Sequence, residues 1–362
     1  MLKVKDDLNM SVFSAADYDD HEQVVFFSDQ DTGLKAIVAI HSTVLGPAVG
    51  GCRMWNYPTE QDAIDDVLRL SKGMSLKNAM AHLGLGGGKS VIIGDPRTDK
   101  TPELFKAFGR YIDRLGGHYI TAEDVGIEVD DIQIVATQTK YVAGLETGDH
   151  PSGDPSPYTA HGVFYGIKAA VRHRLGKKDL GGLTILVQGL GHVGYNLCRE
   201  LHEAGAKLVV ADINQGNVDR VVSEFGARAV DPEAIFEQPG DVFAPCALGA
   251  VLDDHTVLKL KVPVIAGAAN NQLKYDHNGE ELRRLGILYA PDYVINAGGI
   301  IQVANEVHGR DTDVGEGMKK VEEVYGTLME VFEEADKEGK PTNQIADTIA
   351  ERRIEAARAK KS

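Results

Sequence analysis

The hexapeptide Gly189-Leu190-Gly191-His192-Val193-Gly194 follows the apolar run Leu183-Thr184-Ile185-Leu186-Val187 directly. It opens a helical pattern with Val193, Leu197 and Leu201 on one face. A second apolar run, Leu208-Val209-Val210-Ala211, then ends at Asp212. A G-x-G-x-x-G on its own is a weak signal in a chain with 40 glycines. Strand, glycine turn, helix, strand and acid in this order leave few folds open. They describe a parallel β-α-β unit in which the first glycine makes the tight turn, the second lets a ligand approach the backbone, and the third packs helix on strand. The helix N-terminus then offers N–H groups and a positive dipole to a pyrophosphate. Asp212 lies close to the expected roughly 20 residues on, where an acid accepts from ribose hydroxyls. A carboxylate there repels a 2′-phosphate, so NAD is expected over NADP; the next arginine after Asp212 is Arg220.

With 362 residues the chain is too long for one ordinary core and about right for two domains. Apolar runs such as Ala36-Ile37-Val38-Ala39-Ile40 and Val91-Ile92-Ile93 read as buried strands, and Glu60 to Leu76 reads as a helix with Ala63, Ile64, Val67, Leu68 and Leu70 apolar. Further short strands are expected at Val242-Phe243-Ala244 and Val264-Ile265-Ala266, with a helix around Ala160 to Leu175. Strands alternating with helices imply an α/β class. The stretch Thr147 to Pro157 is rich in Pro, Gly and Ser and is the best candidate for a domain boundary, with a long surface loop as the alternative. From about Glu316 the chain turns helical, and its last segment, Asn343 to Lys360, is an amphipathic helix expected to pack back across the junction.

The formal net charge of −16 disfavours nucleic acid and anionic membranes, which both demand Lys and Arg. The N-terminus shows no signal-peptide pattern, and no run of about 18 apolar residues occurs. Cys52, Cys198 and Cys246 are isolated, fitting neither a metal motif nor a disulfide framework, so a reducing cytoplasm is the expected setting. His21, His41 and His161 lack metal-ligand spacing, and no metal is expected. The lone Trp55 is expected to serve packing.

Gly86-Gly87-Gly88-Lys89-Ser90 resembles a phosphate loop but fails its spacing, since the G-x-x-x-x-G-K-[ST] pattern needs glycine where Leu83 stands. What remains is a lysine beside bare backbone, where the glycines are expected to let the polar end of a ligand press close. With Lys77 nearby in sequence, mutual repulsion and burial would lower the pKa of whichever lysine is less well paired, making it an acid or base near neutral pH. The other would stay cationic and hold a carboxylate. Asp124, in the polar turn Glu123-Asp124-Val125-Gly126, is a candidate proton shuttle.

These residues, together with Gly46 to Arg53, Lys77-Asn78, Thr121 to Gly126, Ala244 to Gly249, Ala268 to Gln272 and Pro291 to Gly299, resemble the glutamate/leucine/phenylalanine/valine dehydrogenase family, in order, from about residue 20 to about 355. The resemblance implies an N-terminal α/β catalytic domain over 1–147 with helices 335–362 packing back on it. A Rossmann NAD-binding domain would cover 148–334, with the amino acid in a cleft between the two. It implies that Lys77 binds the substrate α-carboxylate, that Lys89 activates water, that Asp124 transfers protons, and that Asn271 orients the substrate against the nicotinamide. It implies cofactor contacts at Gly189, Leu190, Gly191, His192, Val193, Gly194, Asp212, Thr159, Ala247 and Asn271. The partners implied are an amino acid, its 2-oxo acid and ammonia, and a homo-oligomer.

Glutamate-specific members of that family carry a lysine in the G-P-x-K-G-G segment and a serine four residues after N-A-G-G. Val49 and Val303 stand there in this chain. A side-chain carboxylate set against two valines would lose its hydration unpaired. An apolar substrate is expected, with Val49, Gly50, Ala122, Ile300 and Val303 lining its pocket. The segment Gly46 to Trp55 looks most like leucine dehydrogenases, so leucine, valine or isoleucine are expected, with phenylalanine or tryptophan as the alternative within the family. A non-catalytic NAD-sensing regulator on the same fold is the rival class; the presence of Lys77, Lys89, Asp124 and Asn271 together argues against it.

Overall fold

The computed structural model describes residues 11–145, 154–309 and 314–361. The part of the boundary stretch from Thr147 to Gly153 therefore lies outside the described residues. The chain divides into two compact units, one of residues 1–153 with 353–362 and the other of residues 154–352.

The first unit is built on a mixed five-stranded sheet. Its strands are β1 (Gln23–Asp29), β2 (Leu34–Ser42), β3 (Ala48–Trp55), β4 (Gly86–Ile93) and β5 (Tyr119–Glu123), and its helices are α1 (Glu60–Met80), α2 (Pro102–Arg114) and α3 (Val129–Ala136). The order across the sheet is β1-β2-β4-β3-β5. β1 and β2 run antiparallel, as do β2 and β4, whereas β3 is parallel to both β4 and β5. Both faces are covered. Ile37, Ala39 and Val91 pack with Ala63, Val67 and Leu68 of α1, whereas Ala36, Val38, Ile40 and Ile92 pack with Leu104, Phe105 and Phe108 of α2. A strand buried on both sides reads as an unbroken apolar run, which is why β2 stands out in the sequence. Burying each such aliphatic side chain is worth about 1.5–3 kcal/mol.

α1 begins where the Thr59 hydroxyl accepts a hydrogen bond from the Asp62 N–H and the Asp62 carboxylate accepts one from the Thr59 N–H, a capping box. Its inner face is pinned by two histidines remote from each other in sequence. His21 Nε2 lies 3.1 Å from the Leu68 carbonyl and 3.0 Å from Ser71 Oγ, and His41 Nδ1 lies 2.8 Å from Ser75 Oγ. The two rings meet edge to face at 4.9 Å. Burial pushes His21 down to about 4, so it packs as a neutral ring.

The second unit holds α4 (Ser156–Leu175), β6 (Thr184–Gln188), α5 (His192–Glu203), β7 (Lys207–Ala211), α6 (Gln215–Phe225) and β8 (Arg228–Ala229). There follow β9 (Val242–Pro245), α7 (Thr256–Lys259), β10 (Val264–Ile265), α8 (His277–Arg284), β11 (Leu288–Tyr289), α9 (Asp292–Ile295), α10 (Gly298–Val307), α11 (Val314–Val321), α12 (Val324–Glu338) and α13 (Thr342–Lys361). Its six strands are parallel in the order β11-β10-β9-β6-β7-β8. This is the doubly wound dinucleotide-binding order, with its switch point between β6 and β9. The end of α13 belongs to the first unit, where Arg353 donates to the carbonyls of Ala79 and Met80 at 3.2 and 3.0 Å and caps the C-terminus of α1. Among the described residues no helix is long and apolar enough to cross a membrane.

Candidate active site

The Gly86-Gly87-Gly88 stretch is strand, the opening of β4, and the room its glycines leave is already taken. A Cβ at Gly87 would fall on the Ser75 backbone in α1, and one at Gly88 would come within 2.7 Å of the Tyr119 ring. A Cβ at Gly86 would fall on the Ser42 carbonyl. Sequence alone assigns this room to a ligand. The structure fills it with the protein's own atoms, and Gly87 lets α1 lie directly on sheet backbone. Asn78 Nδ2 donates to the Gly86 carbonyl at 2.6 Å and locks the seat. Lys77, half-buried in the last turn of α1, is the residue before that lock.

Lys89 shares the α1 side of β4 with Gly87 and Val91, because side chains alternate along a strand. It is only 6% exposed, and no other Lys, Arg, Asp or Glu among the described residues is buried. Its Nζ lies 2.7 Å from Asp124 Oδ2. Asp124 follows β5 at its C-terminal end, and a close turn holds it there. The Met54 N–H donates to the Val125 carbonyl at 2.9 Å, and Gly126, at φ +80°, sits where a Cβ would fall on the Met54 carbonyl. Burial by itself would raise the Asp124 carboxyl; the Lys89 ammonium and the Arg53 guanidinium outweigh it and hold the group below its ordinary value. The carboxylate is therefore ionised at neutral pH and in direct contact with an ammonium, an arrangement that can pass a proton between two side chains.

Arg53, from β3, donates from Nε to the same Asp124 Oδ2 at 3.2 Å. Its other edge reaches Asp66 of α1, with NH1 2.9 Å from Oδ2. Tyr57 and Arg69 also donate to Asp66, at 2.7 and 2.6 Å. Sequence reasoning singled out none of Arg53, Asp66 and Tyr57 for a role. They lie on different elements, and only the β3–β4 and β3–β5 registers bring Arg53 beside Lys89 and Asp124.

Of the apolar positions in this unit, Val49 is fully buried in β3 and Ala122 is half-buried in β5. Gly50 packs against the Gly88 carbonyl and accepts the Tyr119 hydroxyl at 2.6 Å. Trp55, expected in packing, is 49% exposed at the end of β3, where it still pairs with Ile93 of β4 but lies beyond the pairing with β5, which ends at Cys52.

In the second unit the glycine turn performs three separate tasks. Gly189 adopts φ +94°, and a Cβ there would come within 2.6 Å of the Ala247 nitrogen. Gly191 caps α5 and is exposed, and no atom would lie within 4 Å of its Cβ. Gly194 packs so that a Cβ would fall on the Gly189 carbonyl. Leu190 is buried, whereas His192 is exposed and Val193 half-buried at the start of α5. Asp212 follows β7. Its Oδ2 accepts from the Leu190 N–H at 2.5 Å and its Oδ1 from the Asn214 N–H at 2.7 Å, so the acid is tied to the turn itself. An open backbone at a helix N-terminus with a carboxylate alongside fits the pyrophosphate and ribose of a dinucleotide.

Asn271 is exposed at φ +50°, a conformation that asparagine tolerates, and its carbonyl accepts the Ala250 N–H at 2.6 Å. Ala247 is exposed after β9, and Ile300 and Val303 are half-buried in α10. Thr159 Oγ1 lies where a Cβ on Gly299 would come within 2.9 Å. Among the described residues no three His, Cys, Asp or Glu side chains are arranged to hold a metal.

Comparison with known proteins agrees with this layout. Residues 21–141 match a family model described as Glu/Leu/Phe/Val dehydrogenase, dimerisation domain, and residues 211–361 match one described as Glutamate/Leucine/Phenylalanine/Valine dehydrogenase. The chain is 54% identical to a leucine dehydrogenase of Bacillus subtilis over 98% of its own length and 96% of that protein. It is 47% identical to a phenylalanine dehydrogenase of Bacillus thermotolerans over 93% of its length and 89% of that protein. The crystal structure of an L-tryptophan dehydrogenase from Nostoc punctiforme superposes with a TM-score of 0.84 at 46% identity, covering 93% of this chain and 97% of that one.

Proposed function

Since this chain belongs to the glutamate/leucine/phenylalanine/valine dehydrogenase family, we propose that it reversibly deaminates an aliphatic L-amino acid, leucine, valine or isoleucine, to the 2-oxo acid and ammonia with NAD. The observation that carries this reading is the buried Lys89 in contact with Asp124. NAD, when bound, accepts the hydride from the substrate Cα. The chain's own groups handle charge and protons. Lys77 holds the α-carboxylate. Lys89, having first passed a proton to Asp124, directs a water to the carbon of the resulting imino acid and takes its proton, and Asp124 delivers the proton it received to the departing ammonia. Asn271 orients the substrate.

Gly189 to Gly194 hold the pyrophosphate and Asp212 the ribose, with Thr159 and Ala247 as further contacts. Repulsion between Asp212 and a 2′-phosphate costs several kcal/mol, so the expected kcat/KM with NADP is lower than with NAD by about a hundredfold or more. Steady-state rates with the two cofactors check this; equal rates would remove Asp212 from its role.

Side-chain selectivity rests on Val49 and Val303 in place of carboxylate-binding groups. NADH formation should be measured with leucine, valine, isoleucine, phenylalanine, tryptophan and glutamate. Leucine or another branched aliphatic is expected to lead, and glutamate to trail by about a thousandfold, since a buried unpaired carboxylate costs several kcal/mol and each 1.4 is tenfold. Glutamate in first place would refute the two-valine argument, and an aromatic in first place would move the substrate to the family's other branch. The family model's dimerisation domain supports a homo-oligomer. Cys52, Cys198 and Cys246 are free. Burial pushes the Cys52 and Cys246 thiols up to about 12, so both stay protonated at neutral pH.

A further inference from the structure

Asp124 Oδ2 takes two cations at once, Lys89 Nζ at 2.7 Å and Arg53 Nε at 3.2 Å. If Arg53 served only to balance charge, a loosely held side chain would do. Instead its other edge is clamped. NH1 lies 2.9 Å from Asp66 Oδ2, and Asp66 is itself fixed by the Tyr57 hydroxyl at 2.7 Å and Arg69 at 2.6 Å. The side chains of Arg53 and Asp66 are 20% and 14% exposed, so the clamp works largely out of water, where such contacts hold geometry well. Asp66 is on α1, the helix that carries Lys77 and Asn78 in its last turn and lies against the backbone of Gly87. A guanidinium suits this place because its planar fork serves two carboxylates in fixed directions, which an ammonium on a flexible stem cannot do.

We propose that Arg53 is a positioning residue for the reaction, holding the Asp124 carboxylate against Lys89 from an anchor formed by Asp66 and Tyr57. The assignment rests on the reading of Asp124 as the proton-transfer carboxylate. Arg53 does not touch substrate; it acts through Asp124. With it gone, Asp124 keeps Lys89 as a partner but loses its fixed direction, and a misplacement of about 1 Å at such a group costs about a hundredfold in rate.

The test is steady-state deamination of leucine by Arg53→Ala, Arg53→Lys and Asp124→Asn, each checked for NAD binding by fluorescence titration. The expected result for Arg53→Ala is a kcat lower by about a hundredfold, KM for leucine and NAD affinity both within about threefold of the parent, and partial recovery of kcat on adding millimolar ethylguanidinium. Arg53→Lys should recover only part of the loss. A purely structural role would lower the amount of folded enzyme and would not respond to ethylguanidinium. The proposal is overturned if Arg53→Ala keeps kcat within about threefold, or if its loss appears in KM alone, or if ethylguanidinium restores nothing. Asp124→Asn separates the two levels: if it turns over normally, the reading of Asp124 fails, and if it is inactive while Arg53→Ala is normal, only the role of Arg53 fails. Should Arg53→Ala not fold, Tyr57→Phe decides, with an expected fall in kcat of about three- to tenfold at unchanged KM; an unchanged kcat there overturns the proposal.

Discussion

Replacing Lys89 with alanine is expected to lower kcat for amino-acid oxidation by about a thousandfold or more, within the range for losing a positioned acid–base group, while NAD affinity stays within about twofold of the parent. The reason begins with cost. An ammonium taken out of water loses several kcal/mol of hydration, and chains seldom accept this without a return. Lys89 is the one fully buried Lys, Arg, Asp or Glu among the described residues, and its Nζ faces a carboxylate at 2.7 Å. A buried, charge-coupled pair, with Lys89 in the middle of β4 and Asp124 just past the end of β5, is what proton transfer needs. The variant should also fold. Asp124 keeps Arg53 at 3.2 Å and is partly exposed, so no carboxylate is left stranded. The glycine turn that binds NAD belongs to the other unit and is untouched by the change. Single-turnover and steady-state rates, with a separate titration of NAD, check both halves. Near-normal turnover would remove Lys89 from the chemistry.

A single methyl group at Gly87 is expected to destabilise the first unit by about 3 kcal/mol or more, in the upper range for overpacking. Its Cβ would fall on the Ser75 backbone nitrogen, which no side-chain rotation can move aside. Relief requires lifting α1 from β4. That would loosen the Asn78 bond to Gly86 and the seat of Leu76, Ala79 and Met80, all of them buried. Gly73→Ala, two turns back on the same helix, is the matched control. Nothing lies within 4 Å of its added Cβ, and alanine in a helix is favoured over glycine by about 0.5–1 kcal/mol, so that variant should be slightly more stable. Thermal or urea unfolding of the pair decides the matter. A Gly87→Ala protein as stable as Gly73→Ala would mean that the helix does not rest on bare strand backbone.

Much of the fold was legible because its signals are local. β6, the glycine turn, α5 and β7 announce themselves within thirty residues, and each step has its own turn chemistry or period. The apolar stripe of α1 is likewise read over a few turns. β1 was not legible: only one of its edges is paired and its burial is partial, so no unbroken apolar run marks it. The role of Gly86 to Gly88 was misread, since a glycine declares that something comes close but does not say what.

Residue types and their local order thus determined the α/β class, the parallel nucleotide-binding unit and its acid, and the candidacy of Lys77, Lys89 and Asp124. Only tertiary structure decided that Gly87 of β4 makes room for α1, Gly86 for the Ser42 carbonyl and Gly88 for the Tyr119 ring, and that Asp124 is shared by Lys89 and Arg53. It alone showed that Asp66 and Tyr57 stand behind Arg53. The physical reason is that strand and helix periods are encoded over a few neighbouring residues, whereas the partner of a buried charge is set by strand register and helix seating, which join positions 35 and 71 residues apart in the chain.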